Sequence, residues 1–373
     1  MLGILSLSTE IIFWSITAIS LIATVVFWHK LHALNFRNVF MRVSVIIFVQ
    51  VFAIASLGLT INRAGEFFDT WGDFFGTNKN LSKVAIAPAN LSTLTAQDVL
   101  KAKRTPGGSL IFKKVILGAK SGVADYVYLV TSPRLSATLE SQATPNVGTN
   151  YQVVELFPGY PGVPETWIGS LKGIESMERS EKAGLIPPTI AVIPAINVVR
   201  GLDTECLNIP GTSQVETWLT SDMKTVAQGL FGIDDRRWSA FGYSTGGWCA
   251  AELAIRHQDQ YQSAVSLAGY FSPSFSAGIN ARERKVLSGE YDLVKTLSIR
   301  PNNLKLMIIY SRSDKFAYAS MKKFVGQANS LLPIKLVEIP RGGHNIAVWK
   351  PYVGTGFDWL GANSELVTQP TTK

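Results

Sequence analysis

Gly242-Tyr243-Ser244-Thr245-Gly246 is a G-x-S-x-G segment with the hydrophobic run RWSAFGY (237–243) before it and an amphipathic stretch after it. A serine at such a sharp strand-to-helix turn is held in a strained backbone with its Oγ exposed at the carboxyl edge of a sheet. A hydroxyl so placed becomes an acyl-group nucleophile once a base takes its proton; the bland alternative is a surface turn. Of the four histidines, His29 and His32 lie in a short loop near the N-terminus, and His257 lies about three helical turns beyond Ser244, out of reach. Elimination leaves His344, in Pro340-Arg341-Gly342-Gly343-His344 just past the last expected strand. Asp314 is the only carboxylate between the run LKLMIIYS (304–311) and the next helix, which gives the chain order Ser, acid, His. Its task would be to hold the imidazole tautomer and stabilise the imidazolium, and Ser313-Asp314 also suits a helix N-cap. A tetrahedral intermediate needs backbone N–H donors. One is expected from Thr245. The other is expected in Phe157-Pro158-Gly159-Tyr160-Pro161-Gly162, where Pro158 and Pro161 have no N–H to give and Tyr160 is the candidate; a plain proline turn is the alternative.

Positioning these groups takes a particular order of elements. Strand-like runs fall at 109–118, 124–132, 151–158, 189–199, 237–243, 262–269, 304–311 and 334–340, with helical patterns at about 166–182, 213–229, 246–258, 281–297, 315–331 and 345–360. A tight glycine-containing turn joins the first two runs as an antiparallel hairpin, and the later spacings suit right-handed parallel crossovers. The expectation is an α/β-hydrolase fold, a mostly parallel eight-stranded sheet flanked by helices.

Residues 215–273 make a resemblance specific. Thr217-Trp218-Leu219-Thr220-Ser221-Asp222, the serine turn, and Ala254-Ile255-Arg256-His257 leading to Tyr261 resemble the putative-esterase family that includes esterase D and the antigen 85 mycolyltransferases. The resemblance extends over 109–360 and implies Ser244, Asp314 and His344 as a triad. The mycolyltransferases carry Glu where Asp314 stands, have a different oxyanion turn, and are secreted and soluble. The implied activity is a serine carboxylic-ester hydrolase acting on an acyl-ester or lipid substrate. A mycolyltransferase-type acyltransferase is the alternative, and a catalytically inactive interaction module, disfavoured by the intact Ser, Asp and His, is the third reading. No cofactor, metal cluster or nucleotide loop is expected.

The N-terminus adds a second theme. Residues 11–28 carry no charge, and 43–61 hold only Gln50 as a strongly polar residue. Each run can cross a hydrocarbon core of roughly 30 Å; the alternative is a cleaved signal peptide followed by a buried helix. Lys30, Arg37 and Arg42 lie between the runs while residues 1–10 carry no cation, so the connecting loop is expected to stay cytoplasmic and the later domain to face outward. Arg63 is a weak counter-signal. The expected organisation is a two-helix transmembrane anchor over 1–62, a connector over 63–106 and a catalytic domain over 107–373. Within the connector, Phe67, Phe68, Trp71, Phe74 and Phe75 suit a helix at the membrane interface or one packed on the catalytic domain. The formal net charge of +8 comes without a dense basic run, which favours an anionic envelope over nucleic acid as its partner. The two cysteines, Cys206 and Cys249, both fall in the part expected outside, where an even count invites a disulfide; two unrelated buried thiols are the alternative. In this fold both neighbour the carboxyl edge of the sheet.

Overall fold

The computed structural model describes residues 3, 4, 6–31, 35–65, 71, 93–144, 146–199, 201–275, 279–299 and 303–368. The aromatic segment 65–77, apart from Gly65 and Trp71, lies outside them. Residues up to Asn78 form one compact unit, and the rest of the chain, apart from Asn345–Ala347, forms the other.

The first unit is built on helices α1 (Leu7–Phe27) and α2 (Phe36–Gly65). The stretches Leu7–Lys30 and Phe36–Arg63 each contain an 18-residue window, of mean hydropathy 2.2 and 2.3 respectively, and are long enough to cross a membrane. The second apolar run sits inside a longer helix whose outer turns bear Arg37, Arg42 and Arg63. The helices run antiparallel, and small polar residues line their seam. Thr17 and Ser56 hydroxyls meet at 3.2 Å, and Trp14 Nε1 donates to Thr60 Oγ1 at 3.1 Å. Thr60 donates to Glu10 at 2.7 Å, and Arg63 pairs with the other oxygen of the same carboxylate. Ile19, Ile22, Val25 and Ile54 are exposed on the outer faces.

The second unit holds a nine-stranded sheet. Its strands are β1 (Lys103–Arg104), β2 (Leu110–Leu117), β3 (Ala124–Thr131), β4 (Gln152–Phe157), β5 (Thr189–Pro194), β8 (Trp238–Tyr243), β9 (Tyr261–Leu267), β10 (Lys305–Ser311) and β11 (Ile334–Ile339). A separate two-stranded ribbon joins β6 (Asn208–Ile209) to β7 (Ser213–Gln214). The order in the large sheet is β1-β2-β3-β5-β4-β8-β9-β10-β11. β2 and β3 form the expected antiparallel hairpin, and β5, β4, β8, β9, β10 and β11 are parallel to their neighbours in that order. β4, β5, β8 and β9 are buried along their whole lengths, as strands covered by helices on both faces must be. This is the α/β-hydrolase fold. The eight expected strands are present, and the two-residue β1 adds a ninth. The helix Pro133–Glu140 and the β6–β7 ribbon were not anticipated from the sequence.

The parallel arrangement brings the segments after β4, β5, β8, β10 and β11 to one edge of the sheet. Every residue singled out for chemistry lies there.

Candidate active site

Ser244 stands between β8 and the helix Thr245–Arg256, with φ 56° and ψ −125°. A positive φ is costly for a residue with a Cβ, and it persists only where the surroundings impose it. They do so here through close backbone packing. A Cβ on Gly242 would come within 1.8 Å of the Gly246 carbonyl oxygen, and one on Gly246 within 2.2 Å of the Phe157 carbonyl oxygen. The spacing of the G-x-S-x-G glycines is therefore set by the approach of the helix to β8 and β4. Ser244 N–H donates to Leu267 O at 2.9 Å, which fixes the turn against β9.

Ser244, His344 and Asp314 form one hydrogen-bonded chain. Ser244 Oγ lies 2.7 Å from His344 Nε2, and His344 Nδ1 lies 2.5 Å from Asp314 Oδ2. With Asp314 accepting from Nδ1–H, a neutral imidazole presents its Nε2 lone pair to the serine hydroxyl. Asp314 is buried, whereas 39% of the His344 side chain is exposed. Asp314 also caps the helix Lys315–Ala328 by accepting the Ala317 N–H at 3.3 Å. The Ser311 hydroxyl donates to Gly342 O at 2.6 Å and ties the end of β10 to the loop that carries His344. Trp349 packs edge-on against the His344 ring at 4.6 Å. His257 is elsewhere, bonded to Glu216 at 2.8 Å.

The turn after β4 passes beside the serine: a Cβ on Gly159 would sit 3.1 Å from Ser244 Cβ. Asn197, beyond β5, donates its Nδ2 to Gly159 O at 3.0 Å and Gly162 O at 2.6 Å. In a trans peptide the N–H points opposite to the C=O, so the Tyr160 N–H is directed away from Asn197. Thr245 opens the elbow helix and is buried.

The loop 203–206 lies along that helix. Cys206 and Cys249 are joined in a disulfide with Cα atoms 5.7 Å apart, and Trp248 Nε1 donates to Glu205 O at 2.9 Å. The Thr245 hydroxyl donates to Asp203 Oδ2 at 3.1 Å and accepts from Tyr270 at 3.3 Å. Burial raises Asp203 to about 6. Burial, and then the neighbouring Asp203 charge, raise Glu205 to about 8. Asn197, Asp203, Tyr270 and Trp349 escaped the sequence reading because no local motif marks them. Among the described residues, no group of three or more His, Cys, Asp or Glu side chains is gathered as metal ligands.

The fold and the serine turn place the chain among the α/β-hydrolases. A family model described as "Putative esterase" matches residues 141–350, more than half the chain, and the chain belongs to that family. The uncharacterized protein Cgl0967/cg1104 of Corynebacterium glutamicum is 23% identical over 236 residues, covering 58% of this chain and 54% of its own length. The chain thus spans about half the length of that curated relative. Among solved structures, a ferulic acid esterase superposes with a TM-score of 0.57 at 15% identity, covering 69% of this chain and 99% of its own. An S-formylglutathione hydrolase from Agrobacterium tumefaciens gives 0.56 at 14% identity, covering 70% and 98%. At such identities the two superpositions speak to fold alone.

Proposed function

We propose that this protein is a membrane-anchored serine esterase that cleaves carboxylic esters through an acyl-enzyme, with its catalytic unit outside the cytoplasm. The observation that carries the reading is the continuous chain Ser244–His344–Asp314 at the strained turn. As Ser244 Oγ attacks the ester carbonyl carbon, His344 Nε2 takes its proton, and Asp314 stabilises the imidazolium. The negative charge passes to the former carbonyl oxygen, which the N–H groups of Thr245 and Tyr160 would meet; such preorganised donors supply much of the rate enhancement. Collapse of the intermediate breaks the bond to the alcohol, which leaves with the proton from His344. Water then repeats the sequence and frees the acid. A lipid or sugar hydroxyl in place of that water would make the enzyme an acyltransferase with the same groups, so the products identify the acceptor.

Two helices with apolar outer faces suit a bilayer anchor, and such an anchor would favour substrates that are themselves lipid or envelope esters. The test is turnover of a short p-nitrophenyl ester by the Ser244→Ala chain. Loss of a triad nucleophile costs on the order of 10⁶ in kcat in a well-studied serine protease, so activity is expected to fall to background with the melting temperature unchanged. Substantial turnover by the variant would place the nucleophile elsewhere.

A further inference from the structure

We propose that Asp203 is a positioning residue of this site: through the Thr245 side chain it fixes the first residue of the elbow helix and the N–H that would receive the oxyanion. The inference rests on the esterase reading above. The first N–H groups of a helix have no partner within the helix, and Thr245 follows a residue with φ 56°. Regular helix geometry therefore does not by itself set the direction of the Thr245 N–H. The Thr245 hydroxyl, in addition, is gripped from two sides. Tyr270 donates to it from the segment after β9 at 3.3 Å, and it donates onward to Asp203 Oδ2 at 3.1 Å.

Asp203 is itself locked in place. Its other oxygen accepts the Glu205 N–H at 3.0 Å, and the next residues are fastened to the same helix by Trp248 Nε1 and the Cys206–Cys249 bridge. The loop thus grips the helix at positions 245, 248 and 249. A buried carboxylate is costly unless its hydrogen bonds are made, and a charged acceptor holds a hydroxyl more tightly than a neutral one. Burial raises Asp203 to about 6, and its hydrogen bonds to the Glu205 N–H and the Thr245 hydroxyl pull against that rise. The buried Glu205 carboxyl group extends the arrangement by accepting the backbone N–H groups of Ser274, at 2.8 Å, and Phe275.

A positioning role predicts a particular pattern in the full-length chain. Asp203→Ala and Thr245→Val should each lower kcat for a p-nitrophenyl ester by about tenfold, less than the 10²–10³ that loss of an oxyanion donor costs, with KM within twofold. Both act through one contact, so the double variant should be no slower than the worse single one. Thr245→Ser, which restores the hydroxyl, and Asp203→Asn, which keeps an acceptor, should each recover most of the loss. Losses that multiply to about a hundredfold in the double variant, or losses confined to KM, would overturn the proposal. If Asp203→Ala does not fold, Thr245→Val against Thr245→Ser decides it, because equal rates for these two would remove the hydroxyl from the account. A wild-type chain inert towards the ester would instead overturn the esterase reading itself.

Discussion

At the scale of single residues, Ser244, His344 and Asp314 make one hydrogen-bonded chain at the carboxyl edge of the sheet. Only four histidines are available, and three are excluded by position, so His344 stood out without any contact being known. Asp314 was legible as the only carboxylate in its interval. Asn197 and Asp203 were not, because an amide that holds two carbonyls and a carboxylate that holds a threonine become meaningful only when distant loops meet. Glu155 was illegible for the same reason: in the sequence it is a charged residue inside a strand, and in the fold it is fully buried in β4. Tyr261 donates to it at 2.7 Å, yet burial raises it to about 8. Its folded-state value lies above the unfolded one of about 4.3. It therefore contributes stability that is fully present below about pH 4.3 and is lost as pH rises through about 8. Glu155→Gln should raise the melting temperature more at pH 8.5 than at pH 5, measured by scanning calorimetry; an equal shift at both values would remove this titration from the account.

At the scale of elements, long apolar runs bounded by turns gave the eight main strands to within a few residues, because parallel strands buried on both faces have little freedom in composition. The short pieces carry too few residues for a period to show. Lys103–Arg104 joins the sheet through its backbone while both side chains stay exposed. The helix Pro133–Glu140 did leave a sign, Pro at its first position, where proline is favoured. The Cys206–Cys249 bridge spans a sequence separation of 43 and encloses the β6–β7 ribbon, a helix and the serine turn. Closing a loop of this length removes denatured-state entropy worth roughly 4 kcal/mol in the chain-entropy model. Reduction should lower the melting temperature by several degrees. It should also reduce ester turnover at temperatures where circular dichroism is unchanged, since the bridge ends on the nucleophile's own helix. Full activity after complete reduction, verified by thiol alkylation, would show that the brace is dispensable.

At the scale of the whole molecule, the chain has two units of different composition. Polar residues line the seam of the helical pair and apolar ones face outward, the pattern that the proposed bilayer anchor would require. Orientation was argued from Lys30, Arg37 and Arg42 between the helices, with Arg63 against it. Arg63 pairs with Glu10, and because Lys30, Arg37 and Arg42 outnumber it, the positive-inside rule predicts a cytoplasmic connecting loop. Alkaline phosphatase fused after the C-terminus should be active and a fluorescent protein fused there dark; the reverse would invert the topology.

Covalent acylation of Ser244 is the step on which the proposed activity depends. The most direct measurement treats the full-length chain with a fluorophosphonate probe and maps the adduct by peptide mass spectrometry. One adduct is expected, on Ser244, absent after heat denaturation and lost in His344→Ala. An adduct on another residue, or none from a chain that turns over esters, would contradict it.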